Sequence, residues 1–226
     1  MATLSKQIGF DDLSGACAAH RLRIAGVCDV RGDDSLPNLA SLVLLAPREP
    51  GFWDVFANSA EYNDGFEHPM DRWSARVIGN LSTECGGTPY FPFGGAPYHP
   101  FYSWALSTGH VYASPLRFLV DHESGLYVSF RGAIGFAHEI KDPRPILKTP
   151  CAGCAAPCLT NCPADALDEN DYNVPKCKSH LINASESCET FGCAARRACP
   201  HTAKTQRPTA HAQFHMRAFI GGITPN

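Results

Sequence analysis

The chain of 226 residues is short of charge: Asp, Glu, Lys and Arg make up 18%, and the net charge is −3. Residues 1–148 carry 12 basic against 16 acidic side chains, and residues 149–226 carry 7 against 6. No basic stripe or tail follows from that split, which argues against a general nucleic-acid binder. Long apolar runs are lacking too. The longest aliphatic stretch, "LVLLA" at Leu42–Ala46, is far too short to span a bilayer. The opening "MATLSKQIGFDDL" has no apolar h-region and no small-residue cleavage site, so no secretory signal is read and a cytoplasmic location is expected. No G-x-G-x-x-G follows a strand pattern and no Walker A motif occurs, which argues against a Rossmann or P-loop nucleotide site. Gly-x-Ser-x-Gly and HExxH are absent as well, so neither motif points to hydrolysis.

What the chain has is apolar bulk, 44% of its residues, and eleven cysteines. In a reducing cytoplasm those thiols read as metal or cluster ligands and not as disulfides. They are unevenly spread. Cys17, Cys28 and Cys85 stand alone, and eight fall between Cys151 and Cys199. A Pro-rich link, "KDPRPILKTP" (Lys141–Pro150), separates the two regions and reads as an extended connector. The expected organisation is an α/β (α+β) domain over 1–145, a small cysteine domain over 146–205 and a tail over 206–226. Within that tail, "AQFHMRAFIGG" could form a short docking helix.

The first region alternates helix and strand patterns, so a central sheet covered by helices is expected. Residues 4–20 place Leu4, Ile8, Leu13 and Cys17 at roughly helical spacing. "LRIAGVCD" (Leu22–Asp29) and "SLVLLAP" (Ser41–Pro47) read as strands. Met70, Trp73, Val77 and Leu81 make one apolar helical face, with Pro69 suited to the first turn. "RFLVDH" and "GLYVSFRGAIGF" (Gly125–Phe136) read as the two arms of a hairpin, with Gly125 supplying the turn. Between them, Gly86–Trp104 is rich in glycine, proline and aromatics. It reads either as a loop packed by its own rings or as a loop lining a ligand pocket.

The eight clustered cysteines follow Cys151-x2-Cys154-x3-Cys158-x3-Cys162-Pro163, then Cys177, Cys188, Cys193 and Cys199-Pro200. Thiolate suits zinc, copper(I) and iron–sulfur clusters. In two-cluster ferredoxins the cysteine before the proline ligates the other cluster. The same crossover groups Cys151, Cys154, Cys158 and Cys199 around one [4Fe–4S] cluster, and Cys162, Cys177, Cys188 and Cys193 around a second. The run departs from the usual x2-x2-x3 spacing of bacterial ferredoxins. Two four-thiolate zinc sites are the alternative. Zinc knuckles come as paired CxxC motifs, however, and this chain has a single CxxC and two Cys-Pro pairs. Cys17, Cys28 and Cys85, with no partner spacing, read as buried small hydrophobes. Lys176, Lys178, Arg196 and Arg197 stand beside cluster cysteines, either as cations favouring a reduced cluster or as ordinary solvated charge.

"CAGCAAPCLTNCPADAL", "VPKCKSHL" and "GCAARRACPH" together resemble the ferredoxin-type domain of the epoxyqueuosine reductases and of related corrinoid-dependent reductases such as the reductive dehalogenases. All eight cysteine positions carry over. "LRIAGVCDVRGDDSLPNLASLVLLAP" and "PLRFLVDHESGLYVSFRGAIGF" are similar, more faintly, to the first domain of that family. The latter is also similar to the cobalamin-processing CblC-type proteins. The resemblance implies a nitroreductase-like corrinoid domain followed by a ferredoxin-like domain with two [4Fe–4S] clusters. Two features of the queuosine enzymes are missing: the helical-repeat tail and the acidic proton donor, whose aligned place reads "PFGGAPYHPF" (Pro92–Phe101). Tyr98 or His99 is the candidate replacement donor.

The expected function is therefore iron–sulfur redox chemistry. Electrons would arrive from a donor protein (a reductase, flavodoxin or ferredoxin) and pass through two clusters to a corrinoid or a substrate on the first domain. A corrinoid reductase or corrinoid-processing protein is a close variant. Cobalamin would sit near Tyr98, His99, Ser129, Arg131 and Gly132. His99 or His110 could ligate cobalt, although most histidines serve other roles. The competing readings are a ferredoxin-like electron-transfer subunit and a zinc-stabilised binding module. Nucleic-acid and membrane partners are not expected.

Overall fold

The computed structural model describes residues 7–183 and 188–221. Its first helix, α1 (Phe10–Ala18), buries Leu13 and Cys17. It covers residues 10–18 of the expected 4–20 helix, with Ile8 ahead of its first turn, while Leu4 falls outside the described residues. Strands β1 (Leu22–Asp29) and β2 (Ser41–Pro47) follow with the expected bounds. Short helices α2 (Phe52–Ala57) and α3 (Ala60–Asn63) lead to α4 (Pro69–Cys85), which buries Met70, Trp73, Val77 and Leu81 on one face. Pro69 opens α4, and Gly86, with φ +70°, closes it in a left-handed cap. Then come β3 (Thr88–Tyr90), α5 (Phe101–Ser107), β4 (Val111–Ala113), β5 (Leu119–Asp121) and β6 (Gly132–Phe136).

Four strands form one antiparallel sheet in the order β1-β2-β6-β3. All seven residues of β2 are buried, because the sheet is covered on both faces. Alternation along the strand sends Val43 and Leu45 to the face that meets Leu13, Phe52, Phe56 and Trp73. Leu42 and Leu44 go to the other face, against Phe101, Trp104 and Phe130. The apolar run of β2 is thus two interleaved sets of core contacts.

The expected hairpin over 117–136 does not form. The turn is there, with Gly125 at φ +56° and an isolated Asp121–Gly125 bridge. Its first arm, β5, pairs instead with β4, and β6 starts only at Gly132, between β2 and β3. The reason is that the turn is already committed elsewhere. Asp121 pairs with the buried Arg23 of β1, and its Oδ1 accepts from the backbone N–H of Glu123 (3.1 Å) and Ser124 (2.5 Å). The Leu126 N–H donates to Thr202 Oγ1 at 2.9 Å, far along the chain.

Lys141–Pro150 runs without helix or strand. The cysteine region beyond holds a 3-10 turn at Pro157–Leu159, a Leu167–Tyr172 bridge, and helices α6 (Val174–Asn183), α7 (Cys188–Phe191) and α8 (Ala194–Arg197). Its core is small: Cys158, Leu167, Ala195 and Cys199 pack against Leu116, Val120 and Leu126. The last helix, α9 (Thr209–Ile220), returns to the first region and sets Phe214 against Trp53 and Phe56, with ring centroids 5.7 and 5.4 Å apart. Residues 209–220 of the expected tail are therefore a packed helix. Among the described residues no helix is long and apolar enough to cross a membrane.

Gly125 is where the two regions meet most tightly. A Cβ there would lie 2.3 Å from Thr202 N, at a backbone conformation that already favours glycine. Gly125→Ala is expected to destabilise the fold by about 1–3 kcal/mol through overpacking. The measurement is the midpoint of thermal or urea unfolding, and an unchanged midpoint would contradict the close approach.

Candidate metal centre and the cavity beside it

Cys151, Cys154, Cys158 and Cys199 line one small pocket, together with Pro150 and Pro200. The chain is folded tightly to do this. The Cys154 N–H donates to the Cys151 carbonyl at 3.1 Å, Gly153 takes φ +74°, and Ala156 takes φ +51° before the 3-10 turn that carries Cys158. Cys199 arrives from the far end of the region, after α8. Burial pushes the Cys158 thiol up, and the neighbouring Cys151, Cys199 and Cys154 push it further. Burial likewise raises Cys151, with Cys199 and Cys154 adding to the effect and a Thr149 hydrogen bond opposing it. Each thiolate thus disfavours the next, a state that bound positive charge would relieve.

The other four cysteines form a second set. Burial raises Cys177, with Cys162 and Cys188 adding to the shift and a Tyr172 hydrogen bond opposing it. Burial also raises Cys193, with Cys188 close by. Helix α6 carries Cys177, Cys188 opens α7, and Cys193 caps α8. The Ala166 N–H donates to Cys162 Sγ at 3.3 Å. Among the described residues no three thiol, imidazole or carboxylate groups close on a single-ion site. No disulfide links any pair of the described cysteines.

The nearby cations are engaged. Lys176 Nζ donates to the Asp165 carbonyl at 2.9 Å, and Arg197 Nε to the Gly192 carbonyl at 3.2 Å. The Arg196 guanidinium lies 4.6 Å from the Phe118 ring centroid.

A cavity of about 260 Å³ adjoins the second set. Cys177, Cys193 and Arg196 line it, as do Tyr127, Ser129 and Arg207. Behind it lies a buried polar group that sequence reasoning missed. Glu49 Oε1 is 2.7 Å from His211 Nδ1, and His211 Nε2 is 3.1 Å from His215 Nε2. Arg207 Nε is 3.2 Å from His211 Nδ1, and its guanidinium lies 4.5 Å from the Tyr127 ring centroid. Burial, with Arg207 beside it, holds His211 neutral, down to about 2, and puts His215 well below the usual range. Burial lowers Arg207 only to about 10, so it stays charged at neutral pH. The one signal available in the sequence was the His-x-x-x-His spacing of His211 and His215, which puts both on one helix face.

Of the five residues expected at a corrinoid, Ser129 and Arg131 lie just ahead of β6, Gly132 opens it, and Tyr98 and His99 lie on an exposed loop. Tyr98 is 66% exposed. His99, on the same exposed loop, stacks on Trp104 at 5.4 Å and meets Tyr90 edge-on at 5.3 Å. With Phe91 stacked on Phe93, the loop is packed largely by its own rings. Gly132 lies in β6, where a Cβ would meet Ile78, Tyr90 and Phe91. Arg131 Nε is buried without a hydrogen-bond partner among the described residues. Of the five, only Ser129 lines the cavity. His110 is taken by Asp142, 3.3 Å away, and burial holds its pKa down.

No family model matches the chain, and no curated protein matches it in sequence. In structure it is similar to an epoxyqueuosine reductase solved in selenomethionine-labelled form. Identity is 17% and the TM-score is 0.50, over 79% of this chain and 53% of the other. The chain thus spans about half the length of that enzyme, and what the two share is the fold.

Cys17 and Cys28, at 0% and 1% exposure, differ from the clustered cysteines in kind. Burial pushes their thiols to about 12 and about 11. In native, metal-free protein treated with iodoacetamide at pH 8, both should stay unlabelled while Cys154 and Cys162 react. Peptide mass mapping reads the result, and labelling of Cys17 at the rate of Cys154 would contradict it.

Proposed function

We propose that the chain is an iron–sulfur redox protein holding two [4Fe–4S] clusters, one on Cys151, Cys154, Cys158 and Cys199, the other on Cys162, Cys177, Cys188 and Cys193. What supports this reading is that Cys151, Cys154, Cys158 and Cys199 line one pocket, while Cys177 lies near Cys162 and Cys188, and Cys193 near Cys188. The fold likeness to an epoxyqueuosine reductase supports it. Each cluster, when bound, takes up and releases one electron. The chain's own part is to hold the thiols, to exclude water from Cys158 and Cys199 by burial, and to set cations such as Arg196 near the thiolate charge. Such thiols need a reducing compartment, so the reading is of a cytoplasmic protein served by a donor reductase, flavodoxin or ferredoxin.

The acceptor is the open branch of the proposal. A corrinoid, the cobalamin that the sequence resemblance implies, is one form of it, with the chemistry at cobalt and the protein positioning the group. The other form is a ferredoxin-like subunit that hands electrons to a partner. Tyr98, His99, Arg131 and Gly132 do not line the cavity beside the second set, which favours this second form.

Anaerobically purified protein, grown with a corrinoid supplied, is expected to carry about eight irons per chain. Cys154→Ala and Cys193→Ala should each lose about half of that iron and lower the stability of the cysteine region. Elemental analysis for iron, zinc and cobalt measures all three metals together. Zinc in place of iron, or full iron and full stability in either variant, would sink the proposal. Cobalt near one per chain would select the corrinoid form.

A further inference from the structure

Exposed apolar side chains gather beside the first set of thiols. Helix α5 leaves Tyr102 and Leu106, one helical turn apart, open to solvent. The connector adds Ile146, 64% exposed, and Leu147, 52% exposed. Three contacts fix this neighbourhood. Ile146 Cδ1 covers Gly109, just past α5, where a Cβ would come within 2.9 Å of it. The Tyr112 hydroxyl lies within hydrogen-bond distance of the Gly109 carbonyl, at 2.6 Å, and of the Leu147 carbonyl. His122 Nε2 is 2.8 Å from the Lys148 carbonyl, and Cys151 follows three residues on. The apolar face thus borders the Cys151–Cys154 loop, whose Ala152 and Gly153 are themselves exposed.

Charge is distributed to match. Residues 85–120, 143–164 and 190–226 hold 8 Lys and Arg and no Asp or Glu, while the rest of the chain holds 11 against 22. These three stretches meet at the first set, where they supply every residue that lines its pocket except Leu126. Of the acidic groups next in sequence, Asp121 and Glu123 pair with Arg23, and Asp142 pairs with Arg144. Asp168 faces Arg117. Lys148 and Lys204, three residues from Cys151 and from His201, are exposed and free of ion pairs among the described residues. A chain of net charge −3 therefore surrounds this thiol set with an excess of cations. An apolar centre with a thin cationic rim fits a protein surface better than a phosphate backbone, which calls for a stripe of cations.

We propose that this face, centred on Leu106, Ile146 and Leu147 with Lys148 and Lys204 at its rim, docks a small acidic one-electron carrier protein, and that electrons enter at the first thiol set. The proposal rests on the iron–sulfur reading and adds to it the point of entry. One electron leaves the reduced centre of the carrier and reduces the first cluster, and no proton or group moves with it. Encounters of this kind are small and short-lived, steered by opposite charge and held by a few apolar contacts.

The test uses the full chain, purified anaerobically and assayed for iron, with a reduced acidic [2Fe–2S] ferredoxin as the probe. Isothermal titration reads binding, and stopped-flow absorbance reads electron transfer. One carrier per chain is expected, with affinity falling about tenfold or more between about 0.05 M and about 0.5 M salt. Lys148→Glu and Leu147→Ser should each weaken binding about fivefold or more. Arg76→Gln, on α4 across the sheet from α5, should leave it unchanged. Melting temperature is measured on each variant, and if one does not fold the other exposed position carries the test. Cys193→Ala, which keeps the first set, should still be reduced by the carrier. Reduction of Cys154→Ala at an unaltered rate would move the entry to the second set and defeat the proposal. About eight irons per chain without saturable carrier binding, or with binding untouched by Lys148→Glu and Leu147→Ser, would overturn the docking site and leave the redox reading standing. So would binding of an RNA duplex of about 20 base pairs at these residues in place of the carrier. Zinc in place of iron would overturn the redox reading, and electron entry with it.

Discussion

The return of Cys199 to the loop of Cys151, Cys154 and Cys158 is the constraint on which the cysteine region depends. Forty residues separate Cys158 from Cys199, and the local core that could hold them together is little more than Leu167, Ala195 and the thiols themselves. The anchoring comes from outside. Thr202, three residues past Cys199, is buried against the turn of Gly125, and its Oγ1 accepts from the Leu126 N–H. That turn is in turn held to the main sheet by the Arg23–Asp121 pair, while Arg23 also donates to Ser124 Oγ at 2.9 Å. Strand β1, the turn and the end of the cysteine region thus form one mechanical line.

The cysteine region has little core of its own. A region this poor in aliphatic core ordinarily relies on a disulfide, a metal or a neighbour. Here no disulfide is formed, and the neighbour supplies part of the missing core through Leu116, Val120 and Leu126. The crowding of buried thiols, each raising the next, is a stress that ligation would remove. If the proposed clusters are bound, folding and cofactor binding are two sides of one equilibrium.

Helix α9 closes the molecule from the other side. It fills the groove of Trp53 and Phe56 with Phe214, and its His211 and His215 continue inward as a polar seam ending at the cavity. Buried polar seams of this kind are costly unless every member is satisfied. Ser129 Oγ, Arg131 Nε and Glu49 Oε2 have no hydrogen-bond partner among the described residues.

Much of this was legible in the residues. The bounds of β1 and β2 followed from unbroken apolar runs between turn residues, and the buried face of α4 from the spacing of Met70, Trp73, Val77 and Leu81. The proposed division of the eight cysteines into two sets rests on their spacing and on the two Cys-Pro pairs. The partner of β5 was not legible, because the donors and carboxylate of its turn are claimed by Arg23 and Thr202, which lie 98 and 81 residues from Asp121. Neither was the cavity, whose polar lining is drawn from Ser129, Arg196 and Arg207 on separate segments. Local periodicity is a property of neighbours along the chain, so the sequence by itself determined most of the elements. Long-range hydrogen bonds and the burial of charge depend on which segments meet, and only the tertiary structure decided those.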